Sequence, residues 1–264
     1  MADTLLAADE PSPVTVHNAQ APSSFLIVAD HAGNRMPRAL GQLGLSDADC
    51  ARHIAIDIGI AGVCRHLADA LGATLIRQDY SRLVIDCNRQ PGTPTSTPIL
   101  SESTKIPGNI DLGSEDAARR EGEIFRPYHD RIAAELDARA AAGRPAILIA
   151  MHSFTPVYLG IARPWHAGVL YNRDPRLARA LFAMLEREPG LVVGDNEPYS
   201  VSDASDYTIP IHGERRGLLH VAVEIRQDLI AEAAGQAAWG ARMAHLLVSA
   251  LAALGEPAPV AAAS

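Results

Sequence analysis

The chain has 264 residues, of which 48% are hydrophobic, and its 31 acidic and 23 basic side chains give a formal net charge of −8. This length suits one large α/β domain with a sizeable core, and the acidic balance offers no basic face for the phosphates of a nucleic acid. No apolar run approaches the ~20 residues that cross a bilayer, and the first residues lack the basic start of a signal peptide. We therefore expect a cytoplasmic protein that binds neither nucleic acid nor membrane.

The cysteines and the single lysine exclude further chemistries. Cys50, Cys64 and Cys87 have spacings that match neither a zinc knuckle nor a disulfide framework, so we expect free thiols in a reducing compartment. Lys105 is the only lysine and lies in a stretch rich in Pro, Gly and Ser, which argues against Schiff-base chemistry.

In chain order, residues 1–23 and 255–264 lack periodicity, which predicts flexible ends around a single domain, 24–254. Between them, short β-branched runs alternate with longer amphipathic runs, a pattern typical of a mostly parallel or mixed α/β sheet flanked by helices. The predicted strands are 25–29, 73–77, 83–87, 146–151, 168–171, 191–193 and 219–225. The predicted helices are 47–71, 115–142, 174–188 and 229–254.

Local signals refine these elements. Ser46 is a suitable N-cap for the first helix, and Gly72 is suited to end it. The stretches 90–112 and 196–216 are long and rich in turn residues, and loops of this length in an α/β domain are usually functional.

Polar residues follow four of the predicted strands. Asp30 and His31 follow the first, Asp86 to Arg89 lie at the end of the third, and His152 and Glu224 lie at the ends of two others. Ligands bind at the carboxyl ends of strands in open α/β sheets, so we expect these side chains to meet at one edge. Two imidazoles and a carboxylate can hold Zn²⁺, and a further glutamate can accept a proton from water.

Several other catalytic motifs are absent from the sequence. It contains no Gly-x-Ser-x-Gly elbow, no Gly-x-Gly-x-x-Gly, no phosphate loop and no His-Glu-x-x-His. A serine hydrolase, a dinucleotide enzyme and a P-loop nucleotidase are therefore disfavoured.

The runs DHAGN, YSRLVIDCNR, HSFTPV and RGLLHVAVEIRQDLI resemble the N-formylglutamate amidohydrolase family, from about Phe25 to Ile230. That family is similar in fold to the zinc carboxypeptidases and aspartoacylases, so the resemblance implies a zinc-peptidase (phosphorylase/hydrolase)-like fold. It also implies a Zn²⁺-dependent amidohydrolase for linear amides, with a place in amino-acid catabolism such as histidine degradation. The implied substrate is a small acidic N-acyl amino acid, first of all N-formyl-L-glutamate.

The resemblance implies a metal site of His31, Asp57 and His152. In the wider superfamily the first metal motif is His-x-x-Glu, whereas this chain has Asn34 at the second position, so Asn34 is an alternative ligand to Asp57. Glu224 lies where the superfamily places its catalytic glutamate.

The resemblance also implies a substrate clamp. Arg82 would polarise the scissile carbonyl, and Asn88 with Arg89 would hold a substrate carboxylate, to which an arginine fork can donate two parallel hydrogen bonds. A strand over 83–87 would put Arg82, Asp86 and Asn88 on one face, and we expect Asp86 to brace an arginine. Further substrate contacts are expected from Arg163, Thr208 and His212.

Other interpretations remain open at this stage. Asp57 could simply pair with His53 on a helix, and Glu224 could pair with Arg226. The protein could be a different metal-dependent acylase or carboxypeptidase-like hydrolase. Because Asn34 is uncharged, it could also be a non-catalytic protein that binds an acidic metabolite.

Overall fold

The structure, a computed structural model, describes residues 4–256. Its strands are β1 (Val14–His17), β2 (Phe25–Ala29), β3 (Thr74–Gln78), β4 (Leu100–Ser101), β5 (Thr104–Lys105), β6 (Ile147–Phe154), β7 (Val157–Tyr158), β8 (Ile161–Ala162), β9 (Ala167–Leu170), β10 (Val193–Asp195) and β11 (Leu219–Arg226). Its α-helices are α1 (Asp47–Cys50), α2 (Ile60–Leu71), α3 (Ser114–Arg120), α4 (Arg126–Ala141), α5 (Arg176–Leu185) and α6 (Ala233–Ala253). Two π-helical segments, Glu121–Phe125 and Ile209–Glu214, interrupt this pattern.

Seven strands form one mixed sheet in the order β1-β3-β2-β6-β11-β9-β10. The inner pairs β3-β2, β2-β6 and β6-β11 are parallel, while β1 pairs antiparallel with β3 and β9 pairs antiparallel with β11. The prediction of a mixed α/β sheet flanked by helices is thus confirmed. The parallel strands read as continuous apolar runs because both of their faces are covered.

Two cores cover the two faces of the sheet. On one face, odd positions such as Ile27 and Ile149 pack with α2, α5 and α6. On the other, even positions such as Leu26 and Leu148 pack with α4 and with the loop that contains Val84. The second face carries the candidate site, because there loops rather than helices cover the carboxyl ends of the strands.

The predicted helix start at Ser46 and the predicted helix end at Gly72 are both confirmed. Ser46 Oγ accepts a hydrogen bond from Asp49 N at 3.1 Å, as an N-cap does. Gly72, with φ of 55°, ends α2 in the left-handed conformation that favours glycine.

The prediction of a flexible segment over residues 1–23 is wrong for its described part. β1 completes the edge of the sheet, and Leu5 is buried. The backbone N–H groups of Leu5 and Leu6 each donate to the Glu123 carboxylate at 2.8 Å. These contacts join segments far apart in sequence, so local periodicity could not reveal them. Of the predicted flexible tail 255–264, residues 257–264 lie outside the described residues.

The predicted helix 47–71 is two helices separated by a run of turns. Asp57 N donates to the carbonyl of His31 at 3.0 Å, which draws this segment away from helical geometry. Gly59 has φ of 81°, and a Cβ there would lie 2.0 Å from the Ile230 carbonyl oxygen. Asp57 therefore lies in a turn that faces the sheet edge.

The predicted strand 83–87 is a turn and an irregular segment. Val84 N donates to Ser81 O at 2.9 Å, and Asp86 N donates to Ser96 O at 2.7 Å, so this run joins no sheet. The β-branched and apolar side chains are there because the segment covers the second core, not because it pairs as a strand.

The structure also bears on the predictions about the cysteines and about membrane spans. The three cysteines are free. Among residues 4–256, no helix combines the length and the apolar composition that a membrane span requires.

Candidate active site

Three side chains that can ligate a metal meet at the edge of the sheet. The Nδ1 atoms of His31 and His152 lie 3.4 and 3.1 Å from Asp57 Oδ2, and all three residues are buried. His31 follows β2, His152 lies near the end of β6, and the turn before α2 brings in Asp57. One ligand atom from each residue lies within 4.8 Å of the others, so these residues could hold a metal ion.

Each histidine also contacts a second carboxylate through its other ring nitrogen. His31 Nε2 lies 2.7 Å from Asp86 Oδ1, and His152 Nε2 lies 3.3 Å from Asp30 Oδ2. A carboxylate at Nε2 favours the proton there and leaves Nδ1 as the lone-pair donor. Both free lone pairs then point toward the same space as the Asp57 carboxylate.

Asp30 is itself fixed by two hydrogen bonds to its other carboxylate oxygen. Tyr128 Oη and Thr208 Oγ1 donate to its Oδ1 at 2.8 Å each. Burial alone would raise the pKa of Asp30, but the hydrogen bond and charge of His152 lower that pKa to about 2. Asp30 therefore remains a carboxylate behind His152.

The charges around the cluster favour a cation. Burial and Arg82 lower the pKa of His31, but Asp86 and Asp57 raise it above its ordinary value. Burial likewise opposes protonation of His152, yet Asp30 and Asp57 raise its pKa well above that value. The site thus attracts positive charge strongly enough to overcome burial, and a divalent ion can supply it in place of protons. The donor set and this potential fit a metal.

Arg82 ties two of the carboxylates together. Its Nε and Nη2 donate to Asp86 Oδ2 at 3.1 and 2.7 Å, and its Nη1 donates to Asp57 Oδ1 at 3.2 Å. The expectation that Asp86 braces an arginine is confirmed. Arg82 also lines the cavity described below.

Glu224 lies beside His152 on the neighbouring strand, β11, where the two residues are register partners. Its side chain is buried, and its Oε2 has no hydrogen-bond partner among residues 4–256. Burial raises the pKa of Glu224 to about 7. The alternative partner, Arg226, instead bonds to Asp228 at 2.8 Å. Glu224 is thus a free carboxyl group next to the cluster.

A cavity of about 430 Å³ opens over these groups, a volume in the range of small-molecule sites. His31, His152 and Glu224 line it. The long stretches 90–112 and 196–216 supply much of the remaining wall, including Glu102 and Tyr199, which agrees with the expectation that they are functional.

The predicted Asn88–Arg89 pair lies on the wall of this cavity. Asn88 Oδ1 accepts from Tyr207 N and Thr208 N at 3.0 and 3.1 Å, and its Nδ2 donates to Asp206 Oδ1 at 3.0 Å. Its amide therefore holds the loop of residues 205–208.

Arg89 bonds only through Nη1 within the described part of the chain. That atom donates to the carbonyls of Asn88 and Ser205 and lies 3.5 Å from Asp206 Oδ1. Its Nε–Nη2 edge is left without a partner there, which leaves two parallel donors for a ligand.

The remaining predicted residues lie at different depths. Thr208 is buried, lines the cavity and bonds to Asp30. His212 is buried against His129, with Nε2 3.0 Å from Nδ1 of that residue, and does not line the cavity.

Arg163 also lies outside the cavity lining, at its rim. Its guanidinium is 4.6 and 4.8 Å from the ring centroids of Tyr158 and Tyr199, which do line it. Asn34 is exposed and donates Nδ2 to the carbonyl of Cys50 at 3.0 Å, so its side chain is committed away from the cavity.

The sequence pattern alone assigned no role to Asp30. The available signal was its position directly before His31, at the end of a strand adjacent to the one that carries His152. The contact between the cavity residues His53 and Glu102, whose Nε2 and Oε2 atoms lie 3.4 Å apart, was also missed because the two residues come from separate loops.

Known proteins resemble this chain over most of its length. Residues 23–231 match the family described as N-formylglutamate amidohydrolase. The structure of gene product Atu2144 from Agrobacterium tumefaciens is similar, with a TM-score of 0.92 and 40% identity over 96% of this chain and 100% of that one. An N-formylglutamate amidohydrolase from Ralstonia eutropha JMP134 has a TM-score of 0.64 and 19% identity, over 90% and 98% of the two chains, and supports the fold alone. None of the curated proteins compared with this sequence matches it.

Proposed function

This chain belongs to the N-formylglutamate amidohydrolase family, and on that premise we propose that it hydrolyses the amide bond of a small acidic N-acyl amino acid in a metal-dependent reaction. N-formyl-L-glutamate is the first substrate to test. The observation that carries the proposal is the buried His31–Asp57–His152 cluster, whose two histidines line one cavity together with the unpartnered carboxyl group of Glu224.

The ligands we propose are His31 and His152 through Nδ1 and Asp57 through its carboxylate. Two imidazoles and one carboxylate suit Zn²⁺ with a position left open. An ion held there would polarise the scissile carbonyl and lower the pKa of a water molecule. Asp86 and Asp30, behind the two histidines, fix their orientation.

Glu224 is the proposed general base. Its Oε2 accepts a proton from the attacking water while the water oxygen forms a bond to the acyl carbon. Glu224 then delivers that proton to the amide nitrogen, so that the C–N bond breaks and the amine leaves. Burial holds the pKa of this carboxyl group near 7, which suits a group that takes and returns a proton at neutral pH.

Arg82 is the proposed stabiliser of the negative charge that develops on the carbonyl oxygen. Its position on the cavity wall is fixed by Asp86 and Asp57, so it needs no reorganisation during the reaction. A guanidinium so constrained keeps its charge through the whole cycle.

Arg89 is the proposed anchor for a substrate carboxylate, through its free Nε–Nη2 edge, which matches the two oxygens of that group. Asn88 and Thr208 shape the wall beside it. Arg163 and His212, which do not line the cavity, act in this proposal by holding Tyr199 and His129 in place.

Two alternatives bear on the proposal. Asp57 supplies the carboxylate that Asn34 lacks, which favours a hydrolase over a non-catalytic binding protein. A panel of N-formyl, N-acetyl and peptide substrates distinguishes the proposed activity from that of another metal-dependent acylase or a carboxypeptidase-like enzyme. The free cysteines are in keeping with the proposed cytoplasmic location.

The test is hydrolysis of N-formyl-L-glutamate by untagged protein loaded with Zn²⁺, measured as release of formate and glutamate. We expect turnover that a chelator abolishes and added metal restores. Activity that a chelator leaves intact would contradict metal dependence. If N-formyl, N-acetyl and peptide amides all remain uncleaved by the metal-loaded protein, the amide hydrolase itself is contradicted.

A further inference from the structure

His53 is a histidine of the cavity wall that the proposed reaction does not use. It lies in the run of turns between α1 and α2, and its side chain is 20% exposed. It lines the same cavity as His152 and Glu224. Its Nε2 is buried and forms no hydrogen bond with any described residue. The cavity wall therefore carries an imidazole whose hydrogen-bonding capacity the fold leaves unused.

Glu102 lies next to this imidazole and lines the cavity as well. Its Oε2 is 3.4 Å from His53 Nε2. Two other donors fix the Glu102 carboxylate, since Arg52 Nη2 donates to Oε2 at 2.8 Å and Leu159 N donates to Oε1 at 3.2 Å. A carboxylate beside Nε2 favours a proton on that nitrogen. A neutral His53 then has a lone pair on Nδ1, and the ring can donate from Nδ1 to an anion only when it is doubly protonated.

The other cationic side chains of the cavity wall already have assignments. The two histidines of the metal cluster are proposed ligands. Arg82 uses three of its five N–H groups on two carboxylates, and the proposed reaction assigns the other two to the carbonyl oxygen. Arg89 offers one two-donor edge, which suits one carboxylate. Among the described residues that line the cavity, His53 is the remaining side chain that can carry a positive charge.

A dicarboxylic substrate requires such a further cation. N-formyl-L-glutamate carries two carboxylates, and a carboxylate taken into the cavity without a counter-charge is costly. Arg163 is less suited than His53, because it does not line the cavity. Its guanidinium lies between the rings of Tyr158 and Tyr199, and its Nη1 donates to the Tyr199 hydroxyl at 2.8 Å.

The charges around His53 favour an incoming anion. Burial lowers the pKa of His53, the nearby charges of Arg52, Arg82 and Arg163 lower it further, and Glu102 raises it. The ring of the free protein is therefore mostly neutral above neutral pH. The three arginines that disfavour a proton on His53 attract a carboxylate to the same place, and a bound carboxylate favours that proton.

Resting on the amide hydrolysis proposed above, we infer that His53 and Arg89 divide the two carboxylates of an N-acyl dicarboxylic amino acid between them, with His53 bound as an imidazolium between Glu102 and the substrate. The two anchors belong to different walls of the cavity. Arg89 bonds to the loop of residues 205–208, whereas His53 contacts the loop that contains Glu102. Binding of the second carboxylate is thus coupled to the uptake of one proton from solvent.

Three ligands and matched variants test this division by calorimetry on Zn²⁺-loaded Glu224→Gln, which should bind without cleaving. N-formyl-L-glutamate has both carboxylates, N-formyl-L-glutamine lacks that of the side chain, and N-formyl-γ-aminobutyrate lacks the α-carboxylate. Adding His53→Asn should weaken the dicarboxylate roughly tenfold or more, as for a lost charged hydrogen bond. It should weaken one of the two monocarboxylates similarly and the other little. Adding Arg89→Lys should weaken the opposite one.

The control is His245→Asn, which changes an exposed histidine of α6 and should alter none of the three affinities. Should His53→Asn fail to fold, Glu102→Gln removes the neighbouring charge and keeps an oxygen for Arg52. It should weaken the same ligands as His53→Asn. The inference is overturned if His53→Asn weakens all three ligands equally or none of them. It is also overturned if Arg163→Gln, and not His53→Asn, removes the affinity for the second carboxylate.

Proton uptake gives a second measurement. Titrations at about pH 8 in buffers of different ionisation enthalpy should show roughly one more proton taken up with N-formyl-L-glutamate than with the monocarboxylate that does not reach His53. Comparing ligands on the same protein cancels proton exchange at the metal. The affinity ratio of these two ligands should fall by up to about tenfold per pH unit as pH rises. An equal uptake with both ligands contradicts the imidazolium.

These results separate the inference from the proposed reaction. If wild-type protein hydrolyses N-formyl-L-glutamate but the His53 and Arg89 variants do not discriminate between the ligands, the inference fails and the reaction stands. If the ligands divide as described and wild-type protein cleaves none of them, the inference stands and the reaction fails. If N-formyl-L-glutamate does not bind at all, both fail.

Discussion

At the scale of single residues, Asp57 makes more contacts within the site than either of the other two proposed metal ligands, His31 and His152. Its Oδ2 lies near both histidine Nδ1 atoms and accepts from Ser153 N at 3.2 Å, while its Oδ1 accepts from Arg82. Burial would raise the pKa of Asp57, but His31, His152 and Arg82 lower it well below its ordinary value. It is a carboxylate under all ordinary conditions, as a metal ligand must be.

Asp57→Ala should therefore weaken metal binding roughly a hundredfold or more, since loss of even an outer-shell partner costs 10- to 100-fold. Asn34→Ala is the matched control and should change metal affinity little, because its amide donates to the Cys50 carbonyl and the residue does not line the cavity. Competition with a chelating dye measures both. The reverse order of effects would make Asn34 the ligand.

Glu224→Gln keeps the size of the side chain and removes its basicity. We expect kcat to fall by roughly 10²–10⁴, the usual contribution of a general acid–base group, with metal content unchanged. Turnover and elemental analysis on the same preparation measure the two effects. A variant with wild-type turnover would leave Glu224 without a catalytic role.

Arg89→Lys removes the two-donor edge while keeping the charge. The proposed anchor contacts substrate and transition state alike, so we expect KM to rise roughly 10- to 100-fold, as for loss of a charged hydrogen bond worth about 1.5–3 kcal/mol, and kcat to change much less. Steady-state kinetics separate the two parameters. An equal loss in kcat with unchanged KM would speak against anchoring.

At the scale of elements, α4 is joined to the π-helical segment Ile209–Glu214 by a histidine pair. His129 Nε2 lies 2.7 Å from the carbonyl of Cys87, so it donates there, and its Nδ1 accepts from Nε2 of His212. His212 Nδ1 is then a buried acceptor without a partner in the described part of the chain. Burial lowers the pKa of His129 to about 4 and, with the neighbouring His129, that of His212 to about 3.

This pair should make stability fall with acidification. Between the unfolded pKa near 6.5 and these lowered folded values, the unfolded chain binds more protons, so the free energy of unfolding decreases as pH drops below about 6.5. His212→Asn, whose amide can still donate to His129, should lose about 2 kcal/mol less than wild type between pH 7 and pH 5. Urea unfolding of both proteins, each free of metal, measures the difference. Identical losses would place the acid sensitivity elsewhere.

At the scale of the whole molecule, strands and their ends were predictable, whereas the paths of the loops were not. Phe25–Ala29 was predicted to the residue because a continuous apolar run suits a parallel strand covered on both faces. The meeting of His31, His152 and Glu224 followed from parallel strands ending at one edge. The turn at Asp57 depends on a hydrogen bond to His31, 26 residues away in sequence, and periodicity does not register such contacts.

The segment 83–87 illustrates the same limit. Its apolar pattern indicates burial, and the segment is indeed buried in the second core. The pattern cannot, however, distinguish a strand from a turn that packs over the core. The edge strand β1 was missed for the opposite reason, since its four half-buried residues carry little pattern and are stabilised by pairing with β3.

The metal content of untagged protein purified without chelator tests the central claim most directly. Elemental analysis should find about one Zn²⁺ or similar divalent ion per chain in wild type, and His31→Ala and His152→Ala should each lose it. His245→Ala removes an exposed histidine of α6 and should retain the metal. Wild-type protein that binds no divalent ion even after reconstitution, or cluster variants that keep it in full, would contradict the account.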